Sequence, residues 1–211
     1  EQGEQPAHVH ADQPVSTRAA EGGVVEVEGL GAGLERSQRL ADRGIVQCRQ
    51  PQPADRPAIA AVLDQLAGDL KPVPGVKALV QVHDRVAYAK STTYMNTTGE
   101  AVGPLATQLG VAPERVIVIH DELDLPAGKV RVKLGGNENG HNGLKSITEH
   151  VGTRDYLRVR IGIGRPPAGT SVPEWVLAPV SGDEDVDAAA EAVRLLITGG
   201  LQKAQNVIHS R

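Results

Sequence analysis

Residues 116–120 read VIVIH, four β-branched apolar residues in a row ending on a histidine. The run is too short for a helix, and a strand that is apolar at successive positions buries both of its faces. Such a strand belongs inside a largely parallel sheet, whose crossover connections are helices lying on the two sides. The segments around it supply those helices. EAVGPLATQLG at 100–110 places Val102, Leu105, Ala106 and Leu109 on one helical face, with Gly110 as C-cap and Pro104 acceptable only in a first turn. NGLKSITEHVG at 142–152 repeats the pattern with Leu144, Ile147 and Val151, Asn142 as N-cap and Gly152 as C-cap. DEDVDAAAEAVRLLITGG at 183–200 is a closing amphipathic helix, acidic at its start and ending on glycines. KVRVKL at 129–134 and RVRIGIG at 158–164 are strands, the first with one buried face and one presenting Lys129, Arg131 and Lys133. The predicted fold is a single-domain α/β sandwich around a twisted, mixed but mainly parallel sheet.

The first 85 residues are unlike the rest. From Glu1 to Ala87 there is no aromatic residue, Met or Asn and only two lysines. GGVVEVEGLGAG at 22–33 predicts a short strand entering a glycine turn. RPAIAAVLDQLAGDL at 56–70 predicts a helix with Ile59, Val62, Leu63 and Leu66 on one stripe and Gly68 near its end, and QCRQPQPADRP between them reads as linker. Residues 1–85 thus form an atypical N-terminal segment of what should be one domain with 86–211.

With 211 residues the chain can bury a substantial core. No apolar run reaches the length of a membrane span and the N-terminus lacks a signal-peptide pattern, so a cytoplasmic protein with no membrane partner is expected. The single cysteine, Cys48, excludes an intramolecular disulfide and a cysteine-built zinc site. Net charge is −4, yet residues 129–165 hold eight Lys or Arg against three Asp or Glu, or +5, leaving −9 for the remainder. That concentration suits either a phosphate-binding face or an ordinary solvated one.

Between a basic strand and a helix start lies GGNENGHNG, residues 135–143. Free backbone N–H groups and side-chain amides there can grip a carbonyl, hydroxyl or phosphate, although many such loops are only tight turns. Four segments in register weigh on the choice: TTYMNTTGEAV at 92–102, VIHDELDLPAGKVRVKLGG at 118–136, GHNGLKSI at 140–147 and GTRDYLRVRIGIGRPP at 152–167. Together, from about Val86 to the C-terminus, they resemble the bacterial peptidyl-tRNA hydrolase family.

The resemblance implies a peptidyl-tRNA hydrolase-like α/β fold. It also implies a monomer that cleaves the ester between a peptide and the 3′ ribose of ribosome-free peptidyl-tRNA, recycling the tRNA without metal or cofactor. It assigns Asp121 as the carboxylate supporting a water-activating histidine, and Tyr94, Asn96 and Asn142 as residues that hold the peptide and the tRNA end. Lys129, Lys133 and Lys145 are the expected secondary tRNA contacts.

The residue types fit those roles. A carboxylate at the carboxyl end of a buried strand can accept an imidazole Nδ1–H and leave Nε2 as base. Asparagine offers donor and acceptor without charge. Other readings stay open: Asn96 as a turn residue, Asn142 as a helix cap, and a divalent-cation site from Asp121, Glu122 and Asp124. Glu122 and Asp124 read as solvated turn acids. His120, preceding Asp121 on a strand, should face away from it, and His141 should shape the loop.

One part of the family pattern is missing. A strand ending in GLGNPG, followed by RHN with the base histidine, has no counterpart here. Gly29, Leu30 and Gly31 are followed by Ala32, and no histidine lies between His10 and His83. Either residues 1–85 are a wrong-frame reading of a hydrolase gene, or the chain is a non-catalytic relative that still binds tRNA. If the sequence as written is active, His83 is the first candidate for base.

Overall fold

The computed structural model describes residues 19–20, 24–25, 43–47, 57–178 and 185–211. Strands β1 (Ala19–Ala20) and β2 (Val24–Val25) pair antiparallel as a separate ribbon. Of the expected strand and turn at 22–33, only Val24–Val25 falls among the described residues. The main domain follows in the order β3 (Arg43–Gln47), α1 (Pro57–Ala67), β4 (Lys71–Pro72), β5 (Ala78–His83), β6 (Val86–Ser91), α2 (Gly99–Gln108), β7 (Val116–Glu122), β8 (Val130–Leu134), α3 (Asn142–Val151), β9 (Leu157–Gly162), α4 (Val172–Leu177) and α5 (Val186–Ile208).

These strands form one seven-stranded sheet in the order β4-β5-β6-β3-β7-β9-β8. Its centre, β6-β3-β7-β9, is parallel, and the flanking pairs β5–β6, β4–β5 and β8–β9 are antiparallel. The mixed, mainly parallel sheet expected from VIVIH is what forms. On one face α1 and α5 pack Ile59, Val62, Val193 and Leu196 against Ile117, Ile119, Val159 and Ile161. On the other, α2 and α3 pack Val102, Leu144 and Ile147 against Val116 and Val118. β7 is therefore apolar throughout because a helix layer covers each side of it.

Helices α2 and α3 approach unusually closely at two glycines. A Cβ on Gly99 would collide with the carbonyl oxygen of Ser146, and one on Gly103 would lie 2.9 Å from Cβ of His150. The Gly99 N–H also donates to Ser146 Oγ at 2.9 Å. This contact fixes α3 on the sheet, and with it the loop that leads into α3.

Several elements depart from the sequence reading. β3 lies in the middle of the sheet, although its sequence RGIVQ was not read as a strand and its last residue began the expected linker. The β5–β6 hairpin was also unread, because its two-residue turn is Asp84-Arg85, both at positive φ (49° and 63°), where Asn-Gly or Asp-Gly is the usual signal. Pro104 stands past the first turn of α2, exposed on the outer side. α5 does not stop at the glycines. It breaks at Gly200 (φ 75°) and continues to Ile208. That last stretch closes the outer edge of β8: Gln205 Nε2 donates to the Val132 carbonyl at 3.2 Å and the Val132 N–H donates to His209 Nε2 at 3.0 Å.

Gly99→Ala is expected to lower stability by about 1–3 kcal/mol, since the colliding atom is backbone and cannot swing away. Urea unfolding measures it, and an unchanged midpoint would show that the α2–α3 contact yields.

Candidate active site

β7 runs two residues past VIVIH, so His120, Asp121 and Glu122 are strand residues at its carboxyl end. His120 is 2% exposed and lies edge-on to His141, ring centroids 5.1 Å apart. Its Nδ1 donates to the Asp121 carbonyl at 2.7 Å, the tautomer that bond requires. Burial first, then the neighbouring His141, holds its pKa well below the usual histidine value, so the ring is neutral. Nε2 is buried with no hydrogen-bond partner among the described residues. Asp121 instead lines an open cleft, separate from the buried His120 ring.

Glu122 is not a solvated turn acid. It is buried, and Arg160 across the sheet donates to its Oε2 from Nε at 3.0 Å and NH2 at 2.8 Å. Continuation of the strand past the apolar run turns this side chain inward. Asp124, in the turn beyond, is exposed and pairs with Arg165. With an arginine on each of these two carboxylates, Glu122 and Asp124 are committed to ion pairs and do not form the three-acid cation site.

The cleft of about 440 Å³ is walled by Met95, Asp121, Asn142, Ile163, Val172 and Val176 among others. Its apolar side comes from α4, held down by Trp175 Nε1 donating to the Gly164 carbonyl at 3.1 Å and by a capping box between Ser171 and Glu174. A single 3₁₀ turn, Met95–Thr97, brings the YMN segment to the rim. Met95 enters the cleft and would lie 3.0 Å from a Cβ on Gly143, whereas Tyr94, 58% exposed, and Asn96, also exposed, point to solvent beside it. The structure thus brings Asp121 and Asn142 together and leaves Tyr94 and Asn96 outside the lining. Met95 was missed because a lone methionine carries no pattern.

The loop at 135–141 is built by left-handed glycines, Gly135 (φ 64°), Gly136 (φ 90°) and Gly140 (φ 79°). Within it Glu138 is buried: Oε1 accepts from Arg154 Nε at 2.7 Å and from Thr148 Oγ1 at 2.9 Å. The N-cap of α3 is His141, not Asn142, its Nδ1 accepting from the Leu144 N–H at 3.2 Å. Capping falls one residue earlier because Asn142 already has helical backbone, which frees its amide for the cleft.

On the α3 side of β8 and β9, Arg131 stands opposite Arg160 and Lys133 opposite Arg158. Burial, then Arg158 and Arg160, lowers the pKa of the half-buried Lys133. Lys129 and Lys145 are exposed. His83 is elsewhere: it pairs with Val86 at the start of β6, on the far side of β6 and β3 from β7. Three strand spacings across and six residues along put it about 25 Å from Asp121.

The Arg154 hydrogen bond, above all, holds the Glu138 carboxyl down to about 2 from 4.5. A depressed folded-state pKa means the contribution to stability is complete above the unfolded value and fades as pH falls from about 4.5 to about 2. Glu138→Gln is therefore expected to lose about 1 kcal/mol near neutral pH, a figure reduced for the exposure of Arg154. The deficit should shrink in urea titrations from pH 5 to pH 3, and a pH-independent deficit would contradict the ionic origin.

A family model described as peptidyl-tRNA hydrolase matches residues 58–211, beginning upstream of Val86 and taking in α1. A protein named peptidyl-tRNA hydrolase 2 from Corynebacterium glutamicum is 63% identical over 144 residues, covering 67% of this chain and 71% of that one. Its namesake from Corynebacterium jeikeium is 49% identical over 155 residues, covering 66% of this chain and 64% of that one. The crystal structure of peptidyl-tRNA hydrolase from Acinetobacter baumannii superposes with a TM-score of 0.70 at 30% identity, covering 81% of this chain and 96% of that one. The fold, the motif-bearing strands and the extent of these matches agree: the chain belongs to the peptidyl-tRNA hydrolase family.

Proposed function

We propose that the cleft binds the peptide–ribose junction of peptidyl-tRNA and hydrolyses its ester. The observation that carries this reading is that Asp121 and Asn142, from different elements, line one cleft at the carboxyl ends of the parallel strands. In the reaction a water attacks the ester carbonyl carbon, the C–O bond to the ribose breaks, and the 3′ oxygen leaves as a hydroxyl with a proton returned from the base. Asp121 supports the base, Asn142 holds the peptide from the loop side, and Tyr94 and Asn96 at the rim hold the tRNA end. The protein works on ribosome-free peptidyl-tRNA, in the cytoplasm, as a monomer.

The basic strands suit the tRNA backbone. Across the β8–β9 ladder Arg131 faces Arg160 and Lys133 faces Arg158; Arg160 is paired with Glu122 and Arg158 is buried, so Arg131 and Lys133 are the charges this face offers to phosphates. Lys129 and Lys145 extend the same charge to the surface.

A second reading, a tRNA-binding relative without catalysis, rests on the histidines. His141 uses its accepting nitrogen to cap α3, His120 is buried beneath the loop, and His83 is at the opposite end of the sheet. None of these three is placed to take a proton from a water beside Asp121.

Cleavage of an N-blocked aminoacyl-tRNA separates the two readings. For the hydrolase, Asp121→Asn should lower kcat by on the order of 10² to 10⁴ with tRNA affinity nearly unchanged. Slow cleavage that is indifferent to Asp121→Asn, with binding intact, would establish the second reading. Changing Lys129, Lys133 and Lys145 to Ala should weaken tRNA binding and flatten its salt dependence, by a slope of about 0.9 or less per true phosphate contact. An unchanged slope would mean that this face is only solvated.

A further inference from the structure

Arg158 is the most thoroughly buried cation among the described residues, with no exposed surface at all. An arginine in that position usually has a carboxylate beside it. Here no carboxylate lies within ion-pair distance among the described residues: Glu122 is taken by Arg160 and Glu138 by Arg154. The guanidinium is compensated in another way. NH2 donates to the Gly136 carbonyl at 2.7 Å, NH1 donates to the Asn137 carbonyl at 2.8 Å, and the Tyr156 ring centroid is 4.7 Å from Cζ. Nε is buried without a hydrogen bond.

Two consecutive carbonyls converging on one planar fork require the chain to turn sharply. The left-handed Gly135 and Gly136 permit that turn, and the fork selects it from the conformations glycine allows. Beyond it the loop is short: the His141 N–H returns to the Glu138 carbonyl at 2.8 Å, His141 caps α3, and Asn142 follows. Tyr156, under the guanidinium, donates its hydroxyl to the Leu144 carbonyl at 3.2 Å, so the same pair also holds the first turn of α3. Burying an unneutralised charge costs stability that a Leu or Met at this position would spare. What those residues could not supply is two donors in a fixed plane.

We propose that Arg158 is a positioning residue: its fork sets the root of the 135–141 loop and thereby aims the Asn142 amide into the cleft. The inference rests on the reading of Asn142 as a residue that holds substrate.

The test uses the full chain, Arg158→Lys, which keeps the charge but has one nitrogen, and Arg158→Gln, which keeps an amide donor without charge. Either variant that unfolds cooperatively in urea decides the question. The first readout, on the free protein, is the ¹⁵N–¹H resonances of the Asn142 side-chain amide and of Gly140 and Gly143. The second is affinity for a hydrolysis-resistant 3′-(N-acetylaminoacylamido)-3′-deoxyadenosine, measured in a double-mutant cycle with Asn142→Ala. The expected result is that the resonances move, that the Arg158 variant binds about tenfold more weakly, and that the loss disappears when Asn142 is already Ala. Unmoved resonances together with additive losses would overturn the proposal, and so would rescue of both readouts by Arg158→Gln. If Asn142→Ala leaves affinity unchanged, the reading of the site fails on its own, and the resonances alone decide the positioning role.

Discussion

The parallel pairing of β7 between β3 and β9 is the constraint from which the rest of the structure follows. A strand with helices on both faces has no solvated side along its length, so its polar residues are confined to its ends. In β7 that polarity is concentrated at the carboxyl end, in three consecutive residues that meet three environments. His120 goes under the α3 loop as a neutral ring, Asp121 reaches the cleft, and Glu122 is neutralised by Arg160. The cleft lies where the central strand ceases to be apolar.

Its second wall depends on charge placed beneath glycine. The loop from Gly135 to His141 has almost no apolar side chain with which to hold itself, and Gly135 and Gly136 hold no conformation by themselves. Its shape comes from below and beside it: Arg158 on two carbonyls, Arg154 and Thr148 on Glu138, and Tyr156 on α3. The bonds of the buried Arg158 and Tyr156 lie in a dry environment, where each is stronger than in water and each lost partner is costly, whereas that of the exposed Arg154 is screened. A rigid polar loop results, with an exposed amide at its end. The tight α2–α3 contact at Gly99 and Gly103 fixes the helix to which that loop is joined.

Much of this was legible in the sequence, for identifiable reasons. Unbroken β-branched residues at 116–119 announced a doubly covered strand, and helical stripes such as Leu144, Ile147 and Val151 announced its cover. The Asp121–Asn142 juxtaposition was legible from motifs in register, and the sheet brings the two into one cleft. What was not legible shares a cause: the local signal was absent and tertiary structure made the choice. Asp84-Arg85 adopts a turn that glycine usually signals, because strands already paired through Val80–Ala89 and Val82–Ala87 leave no other closure. Glu122 looked like a turn acid since nothing local reveals an arginine 38 residues away. His141 displaced Asn142 as cap because either side chain suits the role and the loop geometry decided between them.

The histidines sharpen the remaining question about chemistry. A general base needs an accessible lone pair, and hydrogen bonding determines which ring nitrogen keeps one. His141 stands in the cleft, but Nδ1 accepts from Leu144, which leaves the proton on Nε2, a nitrogen able to donate and not to accept. His120 has the opposite tautomer, with its lone pair on Nε2, but that atom is buried. One ring has access without a free lone pair, and the other has a lone pair without access. To act as base, His141 would have to release the first turn of α3, whose capping bond also fixes the residue beside it, Asn142. Activation of a water by His141 and precise placement of the Asn142 amide are thus mutually exclusive in this arrangement. Neither ring as placed offers the cleft an accessible lone pair, because the nitrogen that accepts in His141 is committed to the helix cap and the one in His120 is buried.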